Sequence, residues 1–428
     1  MSNRPEQPSA RPYRDGHRTS HWGVLAGSVL CVLALVVTAL YGWRIGWFAS
    51  MTGNDAAASS ATADAARNTP QQLARSAAPK PDPSPASKAH RMVNAMDMDT
   101  RIGQLVMAPL YAGNDPASLA SLIADRHVGS VLIIGKWTGG VVSVRAADDQ
   151  LQGYAPGDNR LIISTDQEGG WVQHLTGPGF DRMPTAVDQG TMSTNQLRQS
   201  ASVWGSQLAA AGINVDLAPV LGTVVVNRAA NAPIGALYRD FGLDAEGNAA
   251  HSTAFVQGMA DAGVQSAIKH YPGLGAVTDN TNFTADGILD TTTTLDGTEI
   301  KAFDTTIDQA NPAMVMMALA TYQAIDPNDP AVFSSIIIDG HLRGDLGYDG
   351  VVISDSMSAA AVSAYDTTQL GVKLVEAGGD LVCIGDTNYV VPILDGLSTR
   401  TASDPAFANK VTQSAIRVMT LKIKMGLA

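Results

Sequence analysis

Residues 265–283 read QSAIKHYPGLGAVTDNTNF. The run Gln265–Ile268 has the composition of a short strand, and Lys269 and His270 follow where it stops. A proline, two glycines and a string of short polar side chains come next. A loop that leaves a strand in this way usually holds something other than itself. Past Lys269 and His270, however, its only charged residue up to Phe283 is Asp279.

Working outward, the same unit recurs. Short β-rich apolar runs lie at Gln104–Met107, Ser130–Ile134, Leu161–Thr165, Ile213–Leu217, Gln265–Ile268, Ala313–Met317, Val351–Ser354 and Asp380–Ile384. They are near-continuously hydrophobic, as expected of parallel strands covered on both faces. Between them lie amphipathic stretches such as NQLRQSASVWGSQLAAAG (195–212) and AEGNAAHSTAFVQGMADAG (245–263), which read as helices ending at glycine. Eight such units predict an α/β fold of the (β/α)₈ TIM-barrel type; an open doubly wound sheet is the alternative, less prone to repeat the unit eight times. A barrel places its site at the C-terminal ends of the strands. The polar residues there are Asp166, Asp216, Lys269 with His270, and Asp355. Any one aspartate after a strand can be a helix cap, but four strand ends carrying such groups predict one shared pocket.

The chain has 428 residues, 45% of them hydrophobic, which is ample for a large core. Its net charge of -12 argues against a nucleic-acid partner. The two cysteines, Cys31 and Cys383, show no metal or redox spacing and predict no disulfide. From Trp22 to Trp43 no residue is charged, long enough for a transmembrane helix. Arginines 4, 11, 14 and 18 precede it, so residues 1–21 are expected in the cytoplasm and everything past Arg44 outside. A cleaved signal peptide would have a shorter apolar core, and a lipoprotein a small residue before its cysteine, where Leu30 stands. Residues 44–89 are rich in Ala, Ser and Pro and read as a linker, with the folded domain expected over 90–428. The expected location is therefore the cell membrane, single-pass, with the barrel extracytoplasmic.

Several motifs then become specific. STDQEGGWVQHL (164–175) resembles the D-Q-E-G-G-R-V-Q-R segment of family 3 glycoside hydrolases, and KHYPGLG (269–275) that family's K-H-F-P-G-H-G. GDLGYDGVVISDSM (344–357) is similar to the stretch ending in its aspartate nucleophile. INVDLAPVL (213–221) and YRDFGLD (238–244) fit in order and spacing. The resemblance covers essentially everything after the linker and points to the single-domain bacterial β-N-acetylglucosaminidases. It implies a retaining mechanism with Asp355 as nucleophile and with Asp166, Arg239, Lys269 and His270 gripping the sugar. It implies no cofactor and no metal, and a glycan partner, with the cell-wall polysaccharide the obvious candidate for an outward-facing domain. A lysine ending a barrel strand also suits Schiff-base chemistry, but the location and the His-Tyr-Pro-Gly run speak against an aldolase.

The sequence departs from the family where the proton donor should be. The group's Asp-Ser-His falls on Asn280, Thr281 and Asn282, its glycine-flanked histidine on Leu274, and two arginines on Trp171 and His174. Asparagine hydrogen-bonds but has no proton to exchange near neutral pH. Three readings stay open: a hydrolase using another group, with Asp279 and Asp286 the nearest; a slow enzyme relying on solvent or good leaving groups; and a binding module that recognises wall glycans without cleaving them.

Overall fold

The structure, a computed structural model, describes residues 84–285 and 287–428. The apolar stretch 22–43, its basic flank and nearly all of the linker lie outside the described residues. Among the described residues, no helix is long and apolar enough to cross a membrane.

Eight parallel strands form the centre of the molecule. They are β1 (Val106–Tyr111), β2 (Ser130–Ile134), β3 (Ile162–Thr165), β4 (Val215–Asp216), β5 (Gln265–Tyr271), β6 (Met314–Met317), β7 (Val351–Ser354) and β8 (Val382–Cys383). Each pairs with its sequence neighbour from β1 to β7, and β8 returns to β1. A parallel bridge between Ile353 and Leu381, with Ser354 N–H donating to Leu381 O at 3.0 Å, brings β7 to β8 and completes the ring.

Alternation along each strand builds two cores. Met107, Leu132, Ala267, Val351 and Ile353 point into the barrel, whereas Val106, Val131, Ile133, Ile268 and Val352 pack against the surrounding helices. Both faces are buried, which is why the strands read as continuous apolar runs rather than alternating ones. The longer α-helices are α1 (Pro85–Ala95), α2 (Met98–Gln104), α3 (Gly140–Gln152), α4 (Thr194–Ala210), α5 (Ala245–Asp261), α6 (Thr298–Ala310), α7 (Thr367–Glu376), α8 (Val390–Ser403) and α9 (Pro405–Lys424). Side-chain caps start many of them: Asp97, Asp244, Asp366 and Asp404 accept from first-turn N–H groups, and Ser193 with Gln196 forms a capping box. Val418 and Leu421 of α9 join the inner barrel cluster and close its N-terminal end.

Differences from the sequence reading have local causes. The helix α1 begins at Pro85, inside the stretch read as linker, because Ser84 caps it and Ala89 and Val93 are fully buried. Gln104 belongs to a helix rather than a strand, since Asp97 starts a turn that runs on to it. β1 extends instead to Tyr111, through Pro109. Beyond Met107 this strand is paired with β2 only, so a residue unable to donate a ladder bond is tolerated there. β8 is shorter than read because Asp380 leaves the ladder to act as a buried hub. Its carboxylate accepts from Arg343, from Arg417 Nη1 at 2.8 Å and from Val352 N at 2.9 Å, joining a π-helix (Ile336–Asp345), α9 and β7.

Candidate active site

Lys269 and His270 are neighbours in β5, and an undisturbed strand would send them to opposite faces. The register against β6 slips between them: Lys269 pairs with Met316 and Tyr271 already with Met317. His270 is thus the extra residue of a bulge, and both side chains line one cavity. Asp166 reaches the same cavity from the end of β3, and Asp355 from the end of β7, where its N–H donates to Met317 O at 3.1 Å. Arg239 enters from the long loop after β4. The cavity measures about 390 Å³, a size that suits one small ligand. All five candidates therefore meet.

A residue the sequence reading left unassigned ties the charges together. Glu168 accepts two bonds from Arg239, Nε to Oε2 and Nη2 to Oε1, both at 2.8 Å. Its Oε1 also lies 2.7 Å from Lys269 Nζ, which bonds Asp166 Oδ1 as well. Glu168 sits in a two-strand excursion, Gln167–Gly169 against Val172–Gln173. At the turn, Gly169 has φ +98° and a Cβ there would meet Pro184 O at 2.3 Å, so glycine is required. Its place in the D-Q-E-G-G segment is the sequence signal for Glu168. Lys269 has three donors and Asp166 and Glu168 occupy two, leaving one for a ligand.

Electrostatics follow from this packing. Burial would raise the Asp166 carboxyl, but the Lys269 ammonium and the His174 ring outweigh it and hold it well below the usual range. Burial likewise opposes ionisation of Glu168, and Arg239 and Lys269 overcome it. His270 is driven well below an ordinary imidazole by burial and by the neighbouring cations, so it stands neutral. Its Nε2 lies 3.8 Å from Asp355 Oδ2, beyond hydrogen-bond reach. Asp355 is raised by burial, partly offset by the Ser356 N–H donating to its Oδ1 at 2.7 Å and by Lys269 and Arg239.

Asp216, the fourth strand-end group of the sequence reading, does not line the cavity. It lies beneath, fully buried, with Oδ1 accepting from Gln167 N at 3.0 Å and Oδ2 without a partner. Burial pushes its carboxyl up to about 8. In the unfolded chain it ionises near pH ~4, so between ~4 and ~8 the folded state holds the extra proton and stability falls as pH rises. Above ~8 this contribution levels off. Asp216→Asn removes the titration while keeping the acceptor for Gln167. The variant is expected to gain stability over the wild type progressively across that window. Urea unfolding at a series of pH values checks it; a difference independent of pH would contradict the assignment.

The remaining wall comes from the loop after β5. Asn280, Thr281, Asn282 and Phe283 all line the cavity. Asn280 Oδ1 accepts from Asn282 N at 3.0 Å, Asn280 O from Phe283 N at 3.0 Å, and Thr281 O from Ala361 N at 3.0 Å. Gly275 lets the loop approach Thr223, whose O would lie 1.6 Å from a Cβ. Asp279 is exposed and does not reach the cavity, and Asp286 lies outside the described residues. Leu274 is a buried wall residue. His174 also faces in: Nδ1 lies 3.0 Å from Gly135 O and Nε2 3.7 Å from Asp166 Oδ2.

Residues 97–421 match the glycosyl hydrolase family 3 N terminal domain. A beta-hexosaminidase of Alkalilimnicola ehrlichii is 31% identical over 300 residues, covering 67% of this chain and 83% of that protein. The beta-hexosaminidase LpqI of Mycobacterium tuberculosis is 30% identical over 324 residues, 72% of this chain and 79% of that one. Among solved structures, a beta-N-acetylhexosaminidase from Beutenbergia cavernae is 41% identical with a TM-score of 0.74, over 77% of this chain and 99% of its own. The match runs from the cap of α2 into α9 and so spans the whole barrel that carries the cavity. The chain belongs to glycosyl hydrolase family 3 and is an O-glycosyl hydrolase of that family.

Proposed function

We propose that this hydrolase cleaves β-linked N-acetylhexosamine units by a retaining route, with Asp355 as nucleophile. The observation that carries the reading is Asp355 lining the cavity, while Asp166, Glu168, Lys269 and Arg239 form a buried charged network beside it. Such a network can give directional bonds to sugar hydroxyls, strongest where water is excluded. Asp355 then attacks the anomeric carbon, and the bond to the leaving oxygen breaks as the covalent glycosyl ester forms. Ser356 N–H, Lys269 and Arg239 favour the carboxylate this step needs, against the burial that opposes it.

Protonating the leaving oxygen is the weak step. Asn280, Thr281 and Asn282 offer hydrogen bonds but no exchangeable acid. An aryl glycoside with an acidic phenol needs little protonation, so its first step proceeds; release of the ester then lacks a base. The anchor formed by residues 22–43 and an extracytoplasmic, cell-wall-type glycan substrate belong to the same proposal, motivated by the uncharged stretch and its upstream arginines.

One experiment addresses these points. Washed membranes and cytosol are assayed for the full chain, which is then extracted with detergent and mixed with an aryl β-N-acetylglucosaminide. Recovery in the membranes, a burst of phenol close to one per chain, slow turnover and a sugar adduct by intact mass are expected. Recovery in the cytosol removes the anchor. Absence of burst and adduct with fast turnover puts the proton donor elsewhere, and tight glycan binding with no turnover favours a recognition module.

A further inference from the structure

The charged floor of the cavity is deep, with side-chain exposures of 2% for Lys269, 18% for Asp355 and 20% for Asp166. Its rim is aromatic. Phe283 lines the cavity yet is 83% exposed, and Tyr111 lines it at 43%. No packing role explains Phe283, because it contributes to neither core cluster. Between Thr278 and Ala285 it is the only large apolar side chain in a run of Thr, Asp, Asn and Ala. Nor is its position loose. The turn that presents it is held by Phe283 N and Thr284 N donating to Asn280 O, each at 3.0 Å, and by the anchored, buried Thr281. Tyr111 is fixed from the other side, its hydroxyl donating to Gly385 O at 2.6 Å. Trp171, also exposed, follows in the excursion next to the cavity-lining Val172.

We infer that Phe283 is a specificity-determining residue: it stacks against a second sugar of the glycan, so the site takes an oligosaccharide in preference to a single sugar. The inference rests on the glycosidase reading above. A pyranose carries hydroxyls around its edge and C–H groups on its faces. The buried charges suit the hydroxyls of the sugar in the cavity, and whatever is linked to that sugar must leave where the wall is most exposed. There it meets an aromatic face, the surface that matches C–H groups and releases water from an otherwise unfavourably exposed ring.

Binding separates this from catalysis. The full chain in detergent is titrated calorimetrically with N-acetylglucosamine and with its sulfur-linked β-1,4 disaccharide, which resists cleavage. The disaccharide should bind more tightly than the monosaccharide. In Phe283→Ala that advantage should fall about tenfold, the scale of one aromatic stacking contact, and Phe283→Tyr should retain it. An unchanged advantage in Phe283→Ala overturns the inference, as does equal loss in Phe283→Tyr, which would mark loop packing instead. Monosaccharide binding with no disaccharide advantage overturns it while leaving the glycosidase reading intact. Failure of both sugars to bind removes that reading and this inference with it.

Discussion

Asp355→Asn is expected to abolish the covalent adduct and to lower turnover of aryl glycosides by about 10⁴-fold or more, as removal of a nucleophile does. The amide has the shape of the carboxylate, and its oxygen can still accept the Ser356 N–H that now bonds Asp355 Oδ1 at 2.7 Å. What it lacks is the charge and the lone-pair basicity that attack an anomeric carbon. The fold should survive intact. Burial already opposes the Asp355 charge, and the main favourable contacts of the network run through Glu168 and Asp166 rather than through this residue. Stopped-flow release of phenol and intact mass report the loss, and a melting temperature no lower than the wild type's shows that it is chemical. Turnover within tenfold of the wild type would mean that another group attacks the sugar.

The opposite change is expected in the loop. Asn280→Asp together with Asn282→His should raise turnover of an unactivated disaccharide by roughly 10²- to 10⁴-fold, the usual worth of a positioned acid and base. Geometry favours the exchange. Asn280 uses its Oδ1 to accept from Asn282 N at 3.0 Å, and a carboxylate can do the same. The bonds that shape the turn, from Phe283 N and Thr284 N to Asn280 O and from Ala361 N to Thr281 O, are made by backbone and do not depend on either side chain. Residue 282 is exposed and lines the cavity, so an imidazole there can meet both substrate and solvent. Each single change should fall short of the pair, because a general base works best when a third group orients it. Steady-state rates with aryl and alkyl leaving groups measure the gain. The benefit should be largest for the alkyl group, whose departing oxygen most needs a proton. No gain with either would show that proton transfer in this protein runs through residues away from the loop.

Much of this architecture is written locally. Runs such as Ser130–Ile134 and Val351–Ser354 fall on β2 and β7 as read, because strands buried on both faces need an unbroken apolar sequence. Asp166, Lys269 and Asp355 could be placed at one end of a barrel because the fold puts every strand's C-terminus on the same side. Sequence also showed that Asn280, Thr281 and Asn282 carry no exchangeable acid, since ionisation is a property of residue type before it is one of environment.

Other features existed only once distant segments met. Asp166 and Asp216 look alike, each at a strand end. Yet one opens onto the cavity with Lys269 beside it, and the other is sealed beneath Gln167 with an oxygen unpaired. Neighbours across the ring make that difference, and they are remote in the chain. Glu168 became the centre of the network because Arg239 and Lys269 approach it from two other elements. His270 reaches the cavity through a slip of register against β6, and register is a relation between strands that neither contains alone. Strand identity follows from the apolar pattern of a few consecutive residues. Which carboxyl keeps its proton, and which ring stands at the mouth, depends on burial and on charges that only ring closure brings within a few ångströms.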